Sequence, residues 1–531
     1  MEAVALNFSQ EGKIKYKERN HWKILLLFMA LSFVLRVFLI IYPENIYNDG
    51  TEYIRHAKEV LAGNWSGGES TPEAPNAGKS TPAYPAFIAF IYLLVKNYEL
   101  AGIWVSVIFG TLLVLPVFYL GKEILGEKVG MLSGLVTVVH PVLHMNSGSV
   151  LTEATYHFFL ATAVLFGWYA FHQGKSYTIL LFSFFVSLAY LTRPEGIGFL
   201  FVFFIWVLLT NPPGGKRVWK KRAGIVLLAT FCFLLFSSPY LIQLRKELGR
   251  WQISKKTTFS IGSISDKEDT SFEAAVLREK INVSALLRDP LSLLGKIGGG
   301  LLKSFYGFFQ TFNPILFLLA ILGWIKIFKM KSSYTFKANF YILSHLIFFF
   351  AFVFPLYWVL RRYTSQMISI SIPWAALGCL EVAGWLHRWV EKESLRRKVS
   401  LILLLLLLGG LFIQGRVTHS RESRSIRKET GLWMESHLPR GAKMMSRYPQ
   451  EAFYAELPWI GIPVKSYEEI LSEARSNRVR YLIIDRSIEK DSPGFSEKIK
   501  KEDLILLKEF KDNKDRRMVV FEILYPEKKE P

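Results

Sequence analysis

KILLLFMALSFVLRVFLIIY, residues 23–42, is a twenty-residue run whose one interior charge is Arg36. About 20 apolar residues are needed to carry a helix across roughly 30 Å of hydrocarbon, so this run is long enough to span a bilayer. It lacks a small-residue cleavage site and reads as a retained span rather than a cleaved leader. Arg36 is expected to snorkel from this span toward the interface.

Ten further runs carry the same signature: 100–120, 129–147, 150–171, 177–192, 196–211, 223–241, 311–329, 338–358, 364–387 and 399–415. A shorter run at 81–96 contains Pro82 and Pro85 and reads as a re-entrant or interfacial segment. Composition agrees with a membrane protein. Of 531 residues, 51% are hydrophobic and 15% aromatic, which excludes disordered, collagen-like and disulfide-knot classes. The net charge of +21 sits between apolar runs, which points to membrane topology and away from nucleic acid. Cys232 and Cys379 both lie in apolar runs, so no disulfide framework is expected.

Positive charge orients the chain. Lys13, Lys15, Lys17, Arg19 and Lys23 hold the N-terminus, 1–22, in the cytoplasm. Eleven spans leave the dense cluster Lys216, Arg217, Lys220, Lys221 and Arg222 inside; twelve would put it outside. The layout gives a transmembrane domain at 23–415. Its outer face carries loops 43–99 and 242–310, the turn near 148–153, and the short turns Arg193-Pro194-Glu195 and Arg361-Arg362-Tyr363. Residues 416–531 form an outer, soluble tail. Helices near 427–437, 449–455, 466–477 and 496–511 alternate with strands 442–447, 480–485 and 517–524, the pattern of a small α/β domain. No GxGxxG or GxxxxGK[ST] motif occurs there, so packing or acceptor docking is its expected role.

Ionisable residues gathered at one membrane face mark a candidate site. In the first outer loop, residues 48–63 place Asp49, Glu52, His56 and Glu59 on one helical face and Ile54, Ala57 and Leu61 on another. The helix is expected to lie on the membrane with its acidic face in solvent, and Gly63 to end it. Lys79 suits either a lipid phosphate or simple snorkelling. Glu153 at the mouth of a span must be wet or paired, or it is a helix N-terminal charge. Arg193, Arg361 and Arg362 are outer cations or headgroup anchors. His140 and His144 have i,i+4 spacing, but no HExxH pattern accompanies them, and a structural or interfacial role is the reading.

The string Asp49-x3-Tyr53-x3-Ala57-x3-Leu61-x-Gly63 resembles the first outer loop of GT-C glycosyltransferases, nearest to family 39 (protein O-mannosyltransferases) and the related lipid A aminoarabinose transferases. The stretch Lys79…Pro82…Tyr84 resembles their Lys-Pro-Pro-Leu-Tyr motif. Glu153, Thr192-Arg193-Pro194-Glu195, and Arg362-Tyr363 followed by Pro373 resemble recurrent positions. The likeness runs over roughly 20–415. Two departures stand out: the family's adjacent Asp-Glu pair is here Asp49 and Glu52, and the Lys-Pro-Pro motif is loosened to Lys79-Ser80-Thr81-Pro82.

The resemblance implies a multi-pass enzyme of the cell (cytoplasmic or inner) membrane with an outward-facing site. It would pass a sugar from a polyprenyl-phosphate donor, undecaprenyl or dolichyl, to a protein, glycolipid or glycan acceptor, with inversion. Asp49 is the candidate general base. Lys79, Arg193, Arg361 and Arg362 are candidates for the departing phosphate. Glu52, Tyr53, Tyr84, Glu153, Glu195 and Tyr363 complete the site. No cofactor is required, while a divalent metal stays open because the second acid is displaced. A transporter or flippase of lipid-linked sugars is the alternative; its repeated halves and midplane breaks are not evident. A membrane scaffold leaves the one-sided acids and cations without a purpose.

Overall fold

A computed structural model of the chain describes residues 21–41, 46–68, 71, 77–210, 218–255, 290–330, 332–356, 361–422, 425–463, 466–491, 494–512 and 516–525. The fold is that of a polytopic helical membrane protein with a small α/β domain at its C-terminal end. The helices are α1 (His21–Ile41), α2 (Asn48–Leu61), α3 (Ala83–Val95), α4 (Tyr98–Leu112), α5 (Val114–Leu125), α6 (Glu127–Val139), α7 (Pro141–Met145), α8 (Glu153–Gln173), α9 (Ser176–Thr192), α10 (Ile197–Leu209) and α11 (Val218–Leu248). After a gap in the described residues come α12 (Pro290–Phe312), α13 (Pro314–Lys329), α14 (Ser333–Phe348), α15 (Arg361–Thr364), α16 (Ile368–Leu386) and α17 (Glu393–Glu422).

Among the described residues, seven helices are long and apolar enough to cross a membrane, or nine if two bent pairs each count as one. The expected eleven also include α9 and α10, which form where expected but are shorter apolar helices. The run 311–329 is not one straight span. Asn313 and Pro314 bend it by 102°, with the Asn313 side chain accepting from the backbone of Ile315 at 2.8 Å and Pro314 opening α13. The expected loop 242–310 is described only at its ends, and both are helical. Its remainder, including Ser263, lies outside the described residues, as do Lys13, Lys15, Lys17 and Arg19.

Arg36 does not snorkel. It is 0% exposed, and its guanidinium donates to Ser147 Oγ at 3.1 Å, Ser32 Oγ at 2.5 Å and the carbonyls of Thr137 and Val138 at 3.4 Å. Buried hydroxyls and helix-end carbonyls replace the water it would have sought. The amphipathic reading of α2 fails at His56. Its ring is fully buried beneath the following loop, bonded to Ser80 Oγ at 2.7 Å and Trp65 O at 3.0 Å. Gly63 does end the helix, at φ 89°.

The C-terminal elements are α18 (Ser425–His437), β1 (Lys443–Ser446), α19 (Gln450–Ala455), β2 (Trp459–Gly461), α20 (Tyr467–Ser476), β3 (Val479–Asp485), α21 (Arg486–Asp491), β4 (Leu504–Lys511) and β5 (Arg517–Ile523). The sheet order is β2-β1-β3-β5-β4, with β2-β1-β3 parallel and β5 and β4 antiparallel additions. The helix expected at 496–511 is instead a short 3₁₀ turn followed by β4. Its apolar run Leu504–Leu507 suits either structure, and pairing with β5 decides for the strand. At three residues, β2 is too short to show a pattern.

The domain docks on the helical bundle. Tyr454 of α19 donates to Glu99 at 2.7 Å and accepts from the Ile46 backbone at 3.0 Å, and Lys428 of α18 pairs with Glu99 at 3.2 Å. Beside this contact Glu451 is fully buried and paired with Arg427, which also holds Asp485 at 2.6 Å. Burial pushes the Glu451 carboxyl up to about 7 against the pull of Arg427. The folded domain thus holds this proton more tightly than the unfolded chain does. Stability is expected to fall as pH rises from the ordinary 4.5 toward 7, by about 3 kcal/mol in all. Hydrogen exchange of the β3 amides, corrected for intrinsic rate, should be faster at pH 7.5 than at pH 5.5. Glu451→Gln should erase the difference.

Candidate active site

Asp49 stands in the first turn of α2, where the helix dipole favours an acid. Gly50 lets that turn close on the next part of the site: a Cβ there would lie 2.9 Å from the Val150 carbonyl. Asp49 forms an ion pair with Arg362 of α15. Arg362 Nε also lies 3.5 Å from Glu153 Oε1 at the start of α8. Glu153 is 1% exposed and accepts from Arg193 Nη1 at 3.1 Å. Arg193 Nε then donates to Glu195 at 3.0 Å, and Gln366 donates to the same oxygen at 3.0 Å. A chain of alternating charge therefore joins five residues from four distant parts of the sequence.

Local sequence explains much of this placement. Pro194 forces Arg193 into extended backbone, φ −150° and ψ 128°, so the side chain leaves the axis of α9 and turns back toward α8. Its guanidinium centre lies 5.8 Å from the Tyr156 ring and 5.2 Å from Tyr363. Burial opposes its charge, but Glu195 and Glu153 outweigh burial and raise its pKa. Arg362 sits 5.8 Å from the same Tyr363 ring. Glu153 Oε2 has no hydrogen-bond partner among the described residues, and the Arg362 Nε is likewise left without one.

The remaining expected residues divide. Tyr53 meets Tyr84 edge to ring at 5.3 Å. Burial, then the charges of Asp49 and Glu153, raise its phenol pKa, which places it against the acidic pair. Tyr84 is fully buried and spends its hydroxyl on Gly102 O and Ser106 Oγ. Glu52 is not in the charge chain. Arg55 grips both its oxygens, at 2.7 and 2.8 Å. Burial raises the Glu52 pKa, while Arg55 and Lys79 pull it down. Lys79 thus belongs to the Glu52 side of the site. The Arg361 side chain lies outside the described residues.

Gln366, Thr152 and Arg55 are neighbours that sequence reasoning missed. Arg55 had a signal, since Glu52 and Arg55 are i,i+3 on one helix. Gln366 and Thr152 had none. The acids of the charge chain face guanidinium groups. Among the described residues no three His, Cys, Asp or Glu side chains gather as a metal needs, His140 and His144 included.

On the Glu52 side of α2, a cleft of about 950 Å³ opens between this helix and the C-terminal domain. Asn48, Glu52, Lys58, Tyr98, Lys428 and Trp459 are among its lining residues. It offers charged and aromatic groups together, beside the helix that carries Asp49.

Residues 79–242 match the family described as dolichyl-phosphate-mannose-protein mannosyltransferase, a stretch under a third of the chain. No curated protein matches in sequence. Solved structures are similar in fold. One is ArnT from Cupriavidus metallidurans bound to undecaprenyl phosphate, with TM-score 0.61 and 12% identity over 94% of this chain and 98% of that one. Another is the oligosaccharyltransferase AglB from Archaeoglobus fulgidus in complex with an inhibitory peptide and a dolichol-phosphate. Its TM-score is 0.58 at 12% identity over 96% of this chain and 75% of that one.

Proposed function

We propose that this chain, a membrane glycosyltransferase of the GT-C type resembling family 39, moves a sugar from a polyprenyl phosphate to an acceptor hydroxyl with inversion. The observation that carries the reading is the chain Asp49–Arg362–Glu153–Arg193–Glu195 at one end of an apolar helical bundle. A solvent-open carboxylate beside a guanidinium that two acids share is what the reaction asks for. The acceptor oxygen attacks the anomeric carbon opposite the phosphate, and its proton passes to the Asp49 carboxylate. The bond from that carbon to the phosphate oxygen breaks, and polyprenyl phosphate leaves with the electron pair. Arg362 balances the charge growing on that oxygen, and Lys79, on the Glu52 side of the site, is the second candidate cation. The similar fold of proteins solved with undecaprenyl phosphate and dolichol-phosphate supports a lipid-linked donor. The cleft beside α2 is the proposed acceptor path, with the C-terminal domain as its far wall.

The test is release of polyprenyl phosphate from a panel of lipid-linked sugars in proteoliposomes, with mass spectrometry of protein, glycolipid and glycan acceptors. Flipping of intact donor without release would replace this reading with the transporter.

Sidedness is part of the proposal: N-terminus in the cytoplasm, charge chain and C-terminal domain outside. A cysteine at Ser487 is expected to react with an impermeant thiol reagent in intact cells. One at Ser332, which caps the opposite end of α14, is expected to stay unlabelled. Labelling of Ser332 alone would invert the layout.

A further inference from the structure

We propose that Arg36 and one small-residue face of α4 form a positioning device for Glu153, an inference that rests on the donor-site reading above. The path to Glu153 begins at a break. His140 is extended before Pro141, and the chain bends by 54° between α6 and α7. Pro141 has no N–H, so the carbonyl of Thr137, four residues earlier, loses its ordinary helical donor. Arg36 of α1 supplies one: Nη2 reaches Thr137 O and Nη1 reaches Val138 O, each at 3.4 Å. Cations suit a helix C-terminus, where carbonyls point outward unpaired. The remaining Nε donates at 3.1 Å to Ser147, beyond the break. One buried side chain thus ties both sides of the bend together.

From Ser147 the backbone runs to Glu153 along α4. Gly102, Ser106 and Gly110 are spaced four apart and share one helix face. Each meets this segment. A Cβ at Gly110 would strike Ser147 Oγ and stand 2.9 Å from Arg36 Nε. Ser106 Oγ donates to the carbonyls of Ser149 at 2.8 Å and Leu151 at 3.3 Å. A Cβ at Gly102 would stand 2.6 Å from Val150. Tyr84 closes the seat from α3 through its bonds to Ser106 and Gly102. Small residues let the Val150 and Ser147 side chains seat directly against the α4 backbone, and here they fix the segment in height and register. Two residues later Thr152 and Glu153 meet Arg193, and Glu153 meets Arg362. The sequence likeness gave Tyr84 a place in the site; the geometry assigns it, with Arg36, Ser106 and Gly110, to holding the acid.

The test uses Gly110→Ala, and Gly110→Ala combined with Ser147→Gly, which removes the atoms the new methyl strikes. Each is reconstituted in nanodiscs and titrated with undecaprenyl phosphate. Gly110→Ala is expected to weaken binding by about tenfold or more while keeping one site per chain, as displaced site groups do. The second substitution should restore affinity in part, because it relieves the clash while giving up the Arg36–Ser147 bond. Fewer sites at unchanged affinity would mean mere misfolding and overturn the proposal, as would unchanged binding. An independent readout is a cysteine at Thr152, 2% exposed, in a chain with Cys232→Ala and Cys379→Ala. It should resist maleimide in the parent, react in Gly110→Ala, and resist again in the double variant. If the parent binds no undecaprenyl phosphate, the donor reading fails and the labelling alone decides the seat. Should Gly110→Ala not fold, Ser147→Ala, which removes the Oγ contacts to Arg36 and to the Leu143 carbonyl, is measured in its place under the same criteria.

Discussion

Asp49→Asn is expected to slow single-turnover sugar transfer by about 10²–10⁴-fold, the usual cost of losing a general base. Donor binding should be largely retained. The substitution keeps the shape of the side chain and an oxygen that can still accept from Arg362, so the charge chain beyond it stays assembled. What disappears is a group able to take the acceptor proton. Asp49 is also the acid of the chain that is open to an incoming molecule, at 41% exposure against 1% for Glu153. Glu52→Gln is the matched control. Glu52 is held by both arms of Arg55, and loss of its charge should cost far less. Single-turnover transfer in liposomes, run beside donor binding for both variants, separates the two. Near-normal transfer by Asp49→Asn would remove it from the chemistry, and a larger loss at Glu52 would move the base there.

The sequence was legible where one physical signal dominated. Apolar length marked the helices, and proline marked the Arg193 turn. What it could not show was partnership across the chain. Arg36 looked like a lone charge in a span because, Ser32 apart, its partners, Ser147 and the carbonyl freed by Pro141 among them, lie more than a hundred residues away. His56 looked solvated because helical periodicity does not report the loop that folds back to cover it. Asp49, Glu153, Arg193 and Arg362 could be listed together by expected sidedness, yet nothing in their spacing said which acid would meet which cation. The run 504–507 failed for a different reason. Four adjacent apolar residues fit helix or strand, and only β5 beside them settles it.

Partnership also separates the two arginines that the sequence treated alike, and their substitutions should fail differently. Arg193 is 6% exposed, its nitrogens face Glu153 and Glu195, and it lies close to two tyrosine rings. Arg193→Ala would take the nearest cation from the buried Glu153 and an ion pair from Glu195, a loss on the order of 3–5 kcal/mol of stability when a buried pair is broken. Arg362 is 32% exposed and lies at the open end of the chain beside Asp49. A phosphate can compete there for its guanidinium, and loss of one such donor typically costs about 10²–10³-fold in turnover. The expected result is therefore a crossed pattern. Arg193→Ala should lower the thermal midpoint in detergent and the yield of folded protein. Arg362→Ala should fold with a near-parent midpoint and lose turnover, with transfer falling more than donor affinity. Thermal unfolding and single-turnover transfer on both variants read the pattern directly. An Arg362→Ala protein that unfolds early yet transfers normally once folded would make Arg362 a structural residue, and the phosphate role would pass to Lys79.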